Sequence, residues 1–314
     1  METLRFLMVT TFYPPYHIGG DAVHVQYLTQ ELIRQGHEVH VIFSKDAYRL
    51  KLAEPRGSKH AAETLEVIHP IETPGGLLSP ARAYLVGFSN YIQKTFAELV
   101  SEVRPDVVHL HNISLLGHSL MRRVNRYLNL YSAHDYWLVC PRNNLMKFGR
   151  NVCESKLCAP CLATARRPPQ LWRLSKALSR GVSDLDAIIS PSIFLAERLR
   201  NELDVRTLIE HIPNFVPRPS DDLEDSVFDD DFFLYVGVLE AHKGVEGLVR
   251  LFLNKERPLV VAGGGSLENP LNRLVQRHGS EDRIRIVGRV SNRQLLGLYR
   301  NAEALITPSV WPEI

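Results

Sequence analysis

The segment LRFLMVTTFYPPYHIGGDAVHVQYL, residues 4–28, joins an apolar run to a helical pattern through two prolines and two glycines. Its first part, LRFLMVTTF (4–12), is typical of a buried parallel strand. Apolar residues at helical spacing over 21–35 predict a helix, and Gly36 is placed to end it. The run HEVHVIFS (37–44) predicts a second strand. Strand, helix and strand in this order predict a βαβ unit with a parallel sheet.

The same alternation continues to the end of the chain and predicts an α/β protein with two Rossmann-like domains, each built on a parallel sheet. The acidic stretch SDDLEDSVFDDD (220–231) is the expected linker. The expected domains are 1–218, with a cysteine-rich insert at 138–165, and 228–314. Because the chain stops directly after a strand, we expect the second domain to be incomplete. Further predicted elements are a helix at 88–103, a helix carrying Arg122, Arg123 and Arg126, a basic helix at 170–180, and a last strand at 304–309.

Composition excludes several classes of function. The chain has 314 residues, is 45% hydrophobic and carries a net charge of only +2, so charge gives no argument for binding nucleic acid. No apolar run has the length of a membrane-spanning helix. The first residues form an apolar strand pattern interrupted by Arg5, with no cleavage site of an export signal. Four cysteines without such a signal predict reduced thiols in the cytoplasm.

Glycines and polar residues follow the predicted strands at the edge where ligands of doubly wound sheets bind. Two Rossmann-like halves with a cleft between them suit a nucleotide-bearing ligand, which binds beyond the carboxyl ends of the strands. A lysine in a loop is often only an exposed residue, and a histidine at a strand end is often structural. The residues at these ends are Gly19, Gly20, His109, His111, His134, Asp135, Gly237, Lys243, Gly264 and Glu313.

His109 and His111 alternate along one predicted strand, so their side chains share a face of the sheet. Both are therefore candidates for the ligand-binding edge. The alternative is that they are hydrogen-bonded core residues without a functional role.

The four cysteines have the pattern C-x12-C-x4-C-x2-C at Cys140, Cys153, Cys158 and Cys161. The closing CAPC has a chelating spacing, and four thiolates make a closed structural zinc site. Only one CxxC pair is present, so a set of buried free thiols is the alternative. A metal here would fix the loop that follows His134 and take no part in chemistry.

The order and spacing of these motifs resemble glycosyltransferase family 4, the retaining family with the two-domain GT-B fold, in which two parallel-sheet domains face each other across a cleft. The resemblance covers essentially the whole chain. The segments that carry it are FYPPYHIGGDAVHVQYLTQEL, GHEVHVI, PDVVHLHN, AHDYWLVCPR, SPSIFLAERL, IPNFV, YVGVLEAHKGVEGL, LVVAGGG, IRIVGRVSNRQLLGLY and ALITPSVWPEI.

The resemblance implies a sugar nucleotide, with UDP or GDP, as the donor. The family's diphosphate-binding Lys matches Lys243, whereas the position of its partner Arg is occupied by Val238. Either another residue supplies the second positive charge or diphosphate binding is weaker. Glu313 matches the first of two family glutamates and contacts the donor sugar, while the second would lie beyond Ile314. His134 matches the histidine beside the reacting sugar.

The resemblance also places glycine-rich turns around the donor. Gly237 and Gly264 follow strands of the second domain, and base recognition falls on Gly288–Val290, which includes Arg289 and Val290. The family loop at Gly19 and Gly20 lies over the cleft. Asp21 is placed to occupy the N–H groups that a phosphate would need, so these two glycines are expected to make room for close backbone approach.

The activity implied is a retaining transfer of a hexose from the sugar nucleotide to a glycan or lipid-linked acceptor. The acceptor enters on the face that the phosphate leaves, and positive groups at the phosphate replace a catalytic metal. Two alternatives remain: a sugar-nucleotide epimerase, which needs a carboxylate-rich acid/base set, and a catalytically impaired remnant that only binds sugar nucleotide or a partner. A chain lacking its last part is expected to be weak in donor binding or inactive.

The segment 163–180 has five basic residues, no acidic residue and an apolar side that includes Trp172. It is a candidate for contact with an anionic membrane at its inner face or with a lipid-linked acceptor. The alternative is an ordinary amphipathic helix that packs on its own domain. The expected location is therefore the cytoplasm, with the membrane surface as the place of contact.

Overall fold

The computed structural model describes residues 2–52, 66–123, 126–216 and 231–313. The chain forms two compact units, the first comprising mainly Met1–Phe148 and Glu154–Val216, and the second mainly Pro217–Glu313. The predicted acidic linker lies outside the described residues except for Asp231. No described helix has the length and apolar character needed to cross a membrane.

The first unit contains a seven-stranded sheet in which the neighbouring strands pair in parallel. Buried apolar side chains such as Leu7, Met8 and Val108 occupy its central strands, as expected for strands covered on both faces. The order is β3-β2-β1-β4-β5-β8-β9. The strands are β1 (Arg5–Val9), β2 (Glu38–Ser44), β3 (Val67–Ile71), β4 (Val107–Leu110), β5 (Leu128–Ser132), β8 (Ala187–Ser190) and β9 (Leu208–His211), with the small pair β6 (Met146–Lys147) and β7 (Asn151–Val152).

The crossover connections of the first unit are mostly helical. α1 follows β1 and ends as predicted, since Gly36 adopts a φ of +90° that a side-chain-bearing residue rarely takes. The predicted helix at 88–103 is present as α4. The helices are α1 (Gly20–Arg34), α2 (Lys45–Lys51), α3 (Leu78–Val86), α4 (Asn90–Val103), α5 (Cys158–Thr164), α6 (Ala177–Ser183) and α7 (Ile193–Glu202), and two 3-10 turns lie at His118–Met121 and Leu171–Leu174.

The second unit repeats the same plan around a four-stranded sheet ordered β12-β11-β10-β13. Its core is formed by β10 and β11, whose apolar side chains pack on the following helices. The strands are β10 (Phe232–Val236), β11 (Leu259–Ala262), β12 (Ile284–Gly288) and β13 (Ala302–Leu305); the helices are α8 (Val245–Phe252), α9 (Glu268–Arg277) and α10 (Asn292–Asn301), and a 3-10 turn covers Ala241–Lys243.

Three predicted elements differ from the structure. The helix expected around Arg122 is wrong in its described part, since only the 3-10 turn at His118–Met121 is present and Arg122 is already extended. Gly117, with a φ of +105°, lies before this turn against the Gly87 carbonyl, so the turn does not extend towards the N-terminus either. The last strand lies at Ala302–Leu305 rather than 304–309, because Pro308 has no N–H to continue the ladder.

The basic helix predicted at 170–180 is divided into a 3-10 turn and the short helix α6. Arg173 belongs to the 3-10 turn, with its guanidinium carbon 4.4 Å from the Trp172 ring centre and 5.7 Å from that of Trp137. It donates hydrogen bonds to the carbonyls of Trp137 and Leu138. Burial lowers the pKa of Arg173 to about 10, so the group remains charged at neutral pH. These contacts fix the segment on the first unit.

Candidate active site

The strand order of each unit reverses beside its first strand. In the first unit this point lies between β1 and β4, and in the second between β10 and β13. Loops that leave two adjacent strands in opposite directions open a crevice at the carboxyl ends, where ligands of such sheets bind. The predicted site residues are therefore expected at one edge of each sheet.

The glycine turn after β1 brings α1 against the end of β4. Gly19 precedes the helix with a φ of +85°, and Gly20 is its first residue. The Asp21 carboxylate accepts a hydrogen bond of 2.8 Å from Asn112 Nδ2. A Cβ on Gly20 would meet no heavy atom within 4 Å, so the space beside this residue is open. The turn thus has room for a ligand on the side of Gly20.

Asp21 places a carboxylate at the start of α1. Burial raises the pKa of Asp21, and hydrogen bonds from Asn112 and from the backbone N–H groups of Ala22 and Asp21 lower it only in part. These N–H groups are consequently engaged by a side chain of the protein. The helix start is a poor place for a phosphate, as the sequence indicated.

Four histidines gather behind this turn. His111 Nδ1 lies 2.9 Å from His134 Nε2, and His109 Nε2 lies 2.9 Å from Ser132 Oγ. The ring centres of His109 and His111 are 4.1 Å apart, which confirms that the two residues share a face of the sheet. His24 of α1 lies edge-on to His134, with 5.2 Å between ring centres. His24, His109, His111 and His134 are called the histidine cluster below.

The histidine cluster is held in its neutral form. Burial lowers the pKa of His109 and His134 to about 3, and it lowers the pKa of His24 and His111 as well. His111 Nε2 is buried without a hydrogen-bond partner among the described residues. His134 Nδ1 also has no hydrogen-bond partner in the described part of the chain, so it is the ring atom left to a ligand.

Asp135 does not pair with the histidine beside it. Its carboxylate accepts hydrogen bonds from the Trp137 N–H at 2.7 Å and from Asn143 Nδ2 at 2.8 Å. Burial raises the pKa of Asp135 to about 6. The group therefore fixes the loop after β5 and leaves His134 free of a carboxylate partner.

His24 is the one member of this cluster that was not predicted from the sequence as a site residue. It lies on α1 one turn after Asp21, on the face that packs towards the ends of β4 and β5. A histidine three residues behind the glycine turn is the available signal, because residues three apart share a helix face.

The predicted four-thiolate zinc site is not formed. Within the described residues, which include all four cysteines, no group of three or more potential ligand side chains could hold a metal ion. The Cys161 thiol instead accepts a hydrogen bond from the Phe148 N–H at 3.3 Å and contacts Arg142 Nη1 at 3.6 Å. The alternative of free thiols describes the four residues, though only Cys140 is buried.

The second unit has glycines where backbones touch. Gly263 has a φ of +141°, and a Cβ there would lie 1.8 Å from the Gly237 carbonyl oxygen. A Cβ on Gly244 would lie 2.0 Å from the Pro308 carbonyl oxygen. Because either overlap involves main chain, neither can be relieved by a side-chain rotation. These glycines let the loops after the strands pack closely at the sheet edge.

Lys243 and Glu313 meet at the reversal point of the second sheet. Lys243 Nζ lies 2.8 Å from Oε1 and 2.9 Å from Oε2 of Glu313, and it lies 4.7 Å from the ring centre of Trp311. Burial raises the pKa of Glu313, but hydrogen bonds from Lys243 and Ser309 outweigh it, so the pKa lies below its usual value. The structure thus brings together two predicted site residues that are far apart in sequence.

The remaining predicted residues line the adjoining turns. Arg289 follows β12 and is exposed, with its side chain against Gly264. Val290 packs in part on the apolar core formed by β10 and β11. Val238 follows β10 and is 48% exposed, so its side chain is not needed for the core.

An α/β chain with two parallel sheets, each reversing its order at a glycine-lined edge, has the architecture of the GT-B glycosyltransferases, and this confirms the predicted fold class. The chain belongs to Glycosyltransferase Family 4, whose family model matches residues 18–218. A second model, Glycosyl transferases group 1, matches residues 222–313. The chain is therefore a glycosyltransferase, and the family resemblance of the sequence motifs is confirmed.

Individual proteins agree with this assignment. A Methanocaldococcus jannaschii protein described as an uncharacterized glycosyltransferase is 25% identical over 98% of this chain and 75% of its own length. Sucrose-phosphate synthase from Thermosynechococcus elongatus is similar in structure, with a TM-score of 0.68, 16% identity, and coverage of 98% of this chain and 75% of that one. HepE from Anabaena, solved with UDP and glucose, gives a TM-score of 0.60 at 14% identity, covering 99% and 75%.

Proposed function

We propose that the protein is a retaining glycosyltransferase that transfers a hexose from a UDP- or GDP-sugar to a glycan or lipid-linked acceptor. The observation that carries this proposal is the Lys243–Glu313 pair, 2.8 Å apart at the reversal point of the second sheet. An ammonium group suits a diphosphate and a carboxylate suits sugar hydroxyls. The pair thus offers one partner to each half of a sugar nucleotide.

Lys243 is the proposed partner of the donor diphosphate. Its loop follows β10 and is closed by Gly244, whose backbone lies against Pro308. Glu313 is the proposed partner of the donor hexose. Gly237 and Gly264 belong to turns that touch the same edge, and they are proposed to let the nucleotide approach the backbone.

His134 is proposed to place the transferred sugar. Its Nε2 is held by His111 at 2.9 Å, which leaves Nδ1 to hydrogen-bond a donor hydroxyl. A neutral imidazole fixed by a buried neighbour positions the sugar with little loss of entropy on binding. Gly19 and Gly20 are proposed to make room beside it, because the space next to Gly20 is open.

The retaining outcome is proposed through attack on the face that the phosphate leaves. Asp21 and Asp135 both have their carboxylates engaged by hydrogen bonds within the first unit. Neither carboxylate is therefore proposed to act as a nucleophile. Neither is proposed as a member of the acid/base pair that a hydrolase or an epimerase needs. The leaving phosphate is then the group that takes the acceptor proton, and charge stabilisation falls on protein cations without a catalytic metal.

The identity of the donor finds support among solved relatives. HepE was solved with UDP and glucose, and its fold matches this chain over nearly the whole length. A nucleotide diphosphate and a hexose are the two parts of the proposed donor. We extend this chemistry to the present chain on the basis of the Lys243–Glu313 pair.

A peripheral membrane contact is proposed through 163–180, in the cytoplasm, where the four thiols, none in a disulfide, would stay reduced. Leu171 and Leu174 are exposed by 51% and 88%, beside exposed Lys176 and Arg180. Apolar side chains with a basic surround favour an anionic surface. Co-sedimentation with vesicles containing anionic lipid tests this contact, and Leu174→Glu should reduce it. Equal binding of both proteins would contradict the proposal.

The function is tested by incubating the protein with UDP-glucose, UDP-galactose or GDP-mannose and a panel of glycan and lipid-linked acceptors. Transfer of the sugar with its anomeric configuration retained, observed by NMR, is the expected result. Inversion of the anomeric centre would contradict the proposed mechanism. Binding of UDP or GDP without any transfer would favour a remnant that only binds, and isomerised free donor would favour an epimerase.

A further inference from the structure

Two carboxylates lie at the edge of the second sheet close to its loop lysine. Lys243 is paired with Glu313, and the Glu240 carboxylate accepts hydrogen bonds from the N–H and hydroxyl of Ser266 in the next turn. Each of the two esterified phosphates of a sugar nucleotide carries one negative charge. One lysine that already holds a carboxylate leaves the donor's diphosphate short of positive charge.

Arg289 lies in the neighbouring turn, with its side chain across Gly264. A Cβ on Gly264 would meet Arg289 Nε at 2.8 Å and Cγ at 3.1 Å, so the missing side chain of Gly264 is what makes room for the arginine. Among the described residues, no carboxylate forms an ion pair with Arg289. Glu268 Oε1 lies 3.3 Å from the position of a Cβ on Gly288, beside the backbone of this turn. Arg289 is thus an exposed cation with an unused charge.

Backbone hydrogen bonds join this turn to the loop after β10. Gly263 N donates to the Gly288 carbonyl at 2.7 Å, and Leu239 N donates to the Gly264 carbonyl at 3.1 Å. Val238 is therefore the neighbour of Leu239, whose N–H binds the Gly264 carbonyl. It lies after β10, in the loop that leads to Lys243. The Arg289 side chain and the Val238 position belong to one hydrogen-bonded edge.

We propose that Arg289 supplies the second positive group that binds the donor diphosphate, in place of the cation that Val238 lacks. This inference rests on the proposed function. Gly264 takes part by leaving the space in which the arginine stem lies. The role differs from base recognition, because a guanidinium that binds the diphosphate discriminates by the number of phosphates rather than by the base.

The test measures the affinities of UDP and UMP, with GDP and GMP in parallel, by calorimetry on the wild-type protein and on Arg289→Ala. Loss of a charged hydrogen-bond donor should weaken UDP binding about tenfold or more. UMP binding should weaken by a smaller factor. Arg289→Lys should restore part of the loss, and Arg277→Ala, an exposed arginine at the end of α9, is the matched control that should change nothing.

The double variant Val238→Arg with Arg289→Ala gives the sharpest outcome. Restored UDP affinity would support the proposal, since position 238 is half-exposed and accepts a long side chain. Unchanged UDP affinity in Arg289→Ala would overturn the inference and leave the proposed function standing. Equal losses for UDP and UMP would also overturn it and assign Arg289 to the base. If the wild-type protein binds neither UDP nor GDP, the proposed function fails as well.

Discussion

The strand order of both sheets reverses beside the first strand, but different side chains lie at their carboxyl edges. At the first, four neutral histidines pack behind a glycine turn, with their charged forms disfavoured by burial. At the second, glycine-rich turns hold the charged pair of Lys243 and Glu313 together with the exposed Arg289. The same reversal of strand order therefore carries neutral histidine rings at one edge and paired or exposed cations at the other.

This difference shows which properties the strand order determines. The reversal point decides where a ligand can bind, and the side chains that follow the strands decide what it can be. The first edge offers hydrogen-bonding rings without charge, which suits hydroxyl groups of a sugar. The second offers cations, which suit phosphates. If the side chains at each edge decide the ligand, substitutions at the two edges should affect stability and sugar transfer differently.

The largest effect should come from the backbone contacts. Gly263→Ala places a Cβ 1.8 Å from the Gly237 carbonyl oxygen at a φ of +141°, so it should destabilise the second unit by about 3 kcal/mol. Gly20→Ala has open space and a helical position, so stability should stay the same or rise by about 0.5–1 kcal/mol. Thermal unfolding checks both, and equal effects would contradict the contrast. Loss of transfer by stable Gly20→Ala would support its proposed role beside the substrate.

Lys243→Ala should reduce sugar transfer on the order of 100-fold, as removal of one group that stabilises developing charge does. Steady-state kinetics provide the measurement, with whichever of the three sugar nucleotides acts as donor in the transfer assay. Lys255→Ala, an exposed lysine in the turn after α8, is the control and should transfer at the wild-type rate. Transfer that survives the loss of Lys243 would show that the second edge is not the phosphate-binding one.

His134→Ala should destabilise the first unit by about 1–3 kcal/mol, since it leaves a buried ring nitrogen of His111 without its partner. His24→Ala removes a ring contact but no hydrogen bond to the cluster, so its effect should be smaller. Urea unfolding followed through the fluorescence of Trp137 and Trp172, which belong to the first unit, provides the comparison. A larger loss from His24→Ala would reject this account of the cluster.

Acid should weaken the first unit gradually. The folded-state pKa of His109 and His134 is about 3, below the ordinary 6.5, so their stabilisation is present above pH 6.5 and is lost as the pH falls towards 3. His111 acts in the same direction. Asp135, with its pKa raised to about 6, opposes this as the pH falls below 6, and Asp21, whose pKa is also raised, acts in the same direction as Asp135.

Four histidines with a lowered pKa outnumber two carboxyl groups with a raised pKa, so the free energy of unfolding of the first unit should fall as the pH falls below 6.5. Urea unfolding at pH 7, 6 and 5 measures this decrease, and His109→Asn should reduce it. A first unit whose stability rises between pH 7 and 5 would contradict the neutral state assigned to the histidines.

Much of the fold follows from short-range patterns. Continuous apolar runs predicted the central strands, and the positive φ of Gly36 explains why the first helix ends where its pattern ends. The last strand was misplaced because apolar character continues through Ile306, whereas hydrogen bonding is limited by Pro308. The helix predicted at Arg122 is not formed because the backbone is already extended at that residue, and no sequence signal marks this change.

Individual residues of the candidate site could be predicted from the sequence, but the contacts between them could not. Lys243 and Glu313 each follow a strand, which the sequence shows, but their direct contact depends on the order of strands in the sheet. His24 was missed because its role depends on how α1 packs on β4 and β5. The cysteine spacing is compatible with a zinc site and also with the loop that was found, since spacing does not determine where Arg142 and Phe148 place their donors.

Arg173 holds the loop after His134 in place, which is the structural role expected of a zinc ion. It clamps the loop after His134 by its hydrogen bonds to Trp137 and Leu138 and by its contacts with two indole rings. A guanidinium has no redox chemistry and does not dissociate from the chain. The loop is therefore held by a side chain of the protein itself, and this hold depends neither on chelators nor on the oxidation state of nearby thiols.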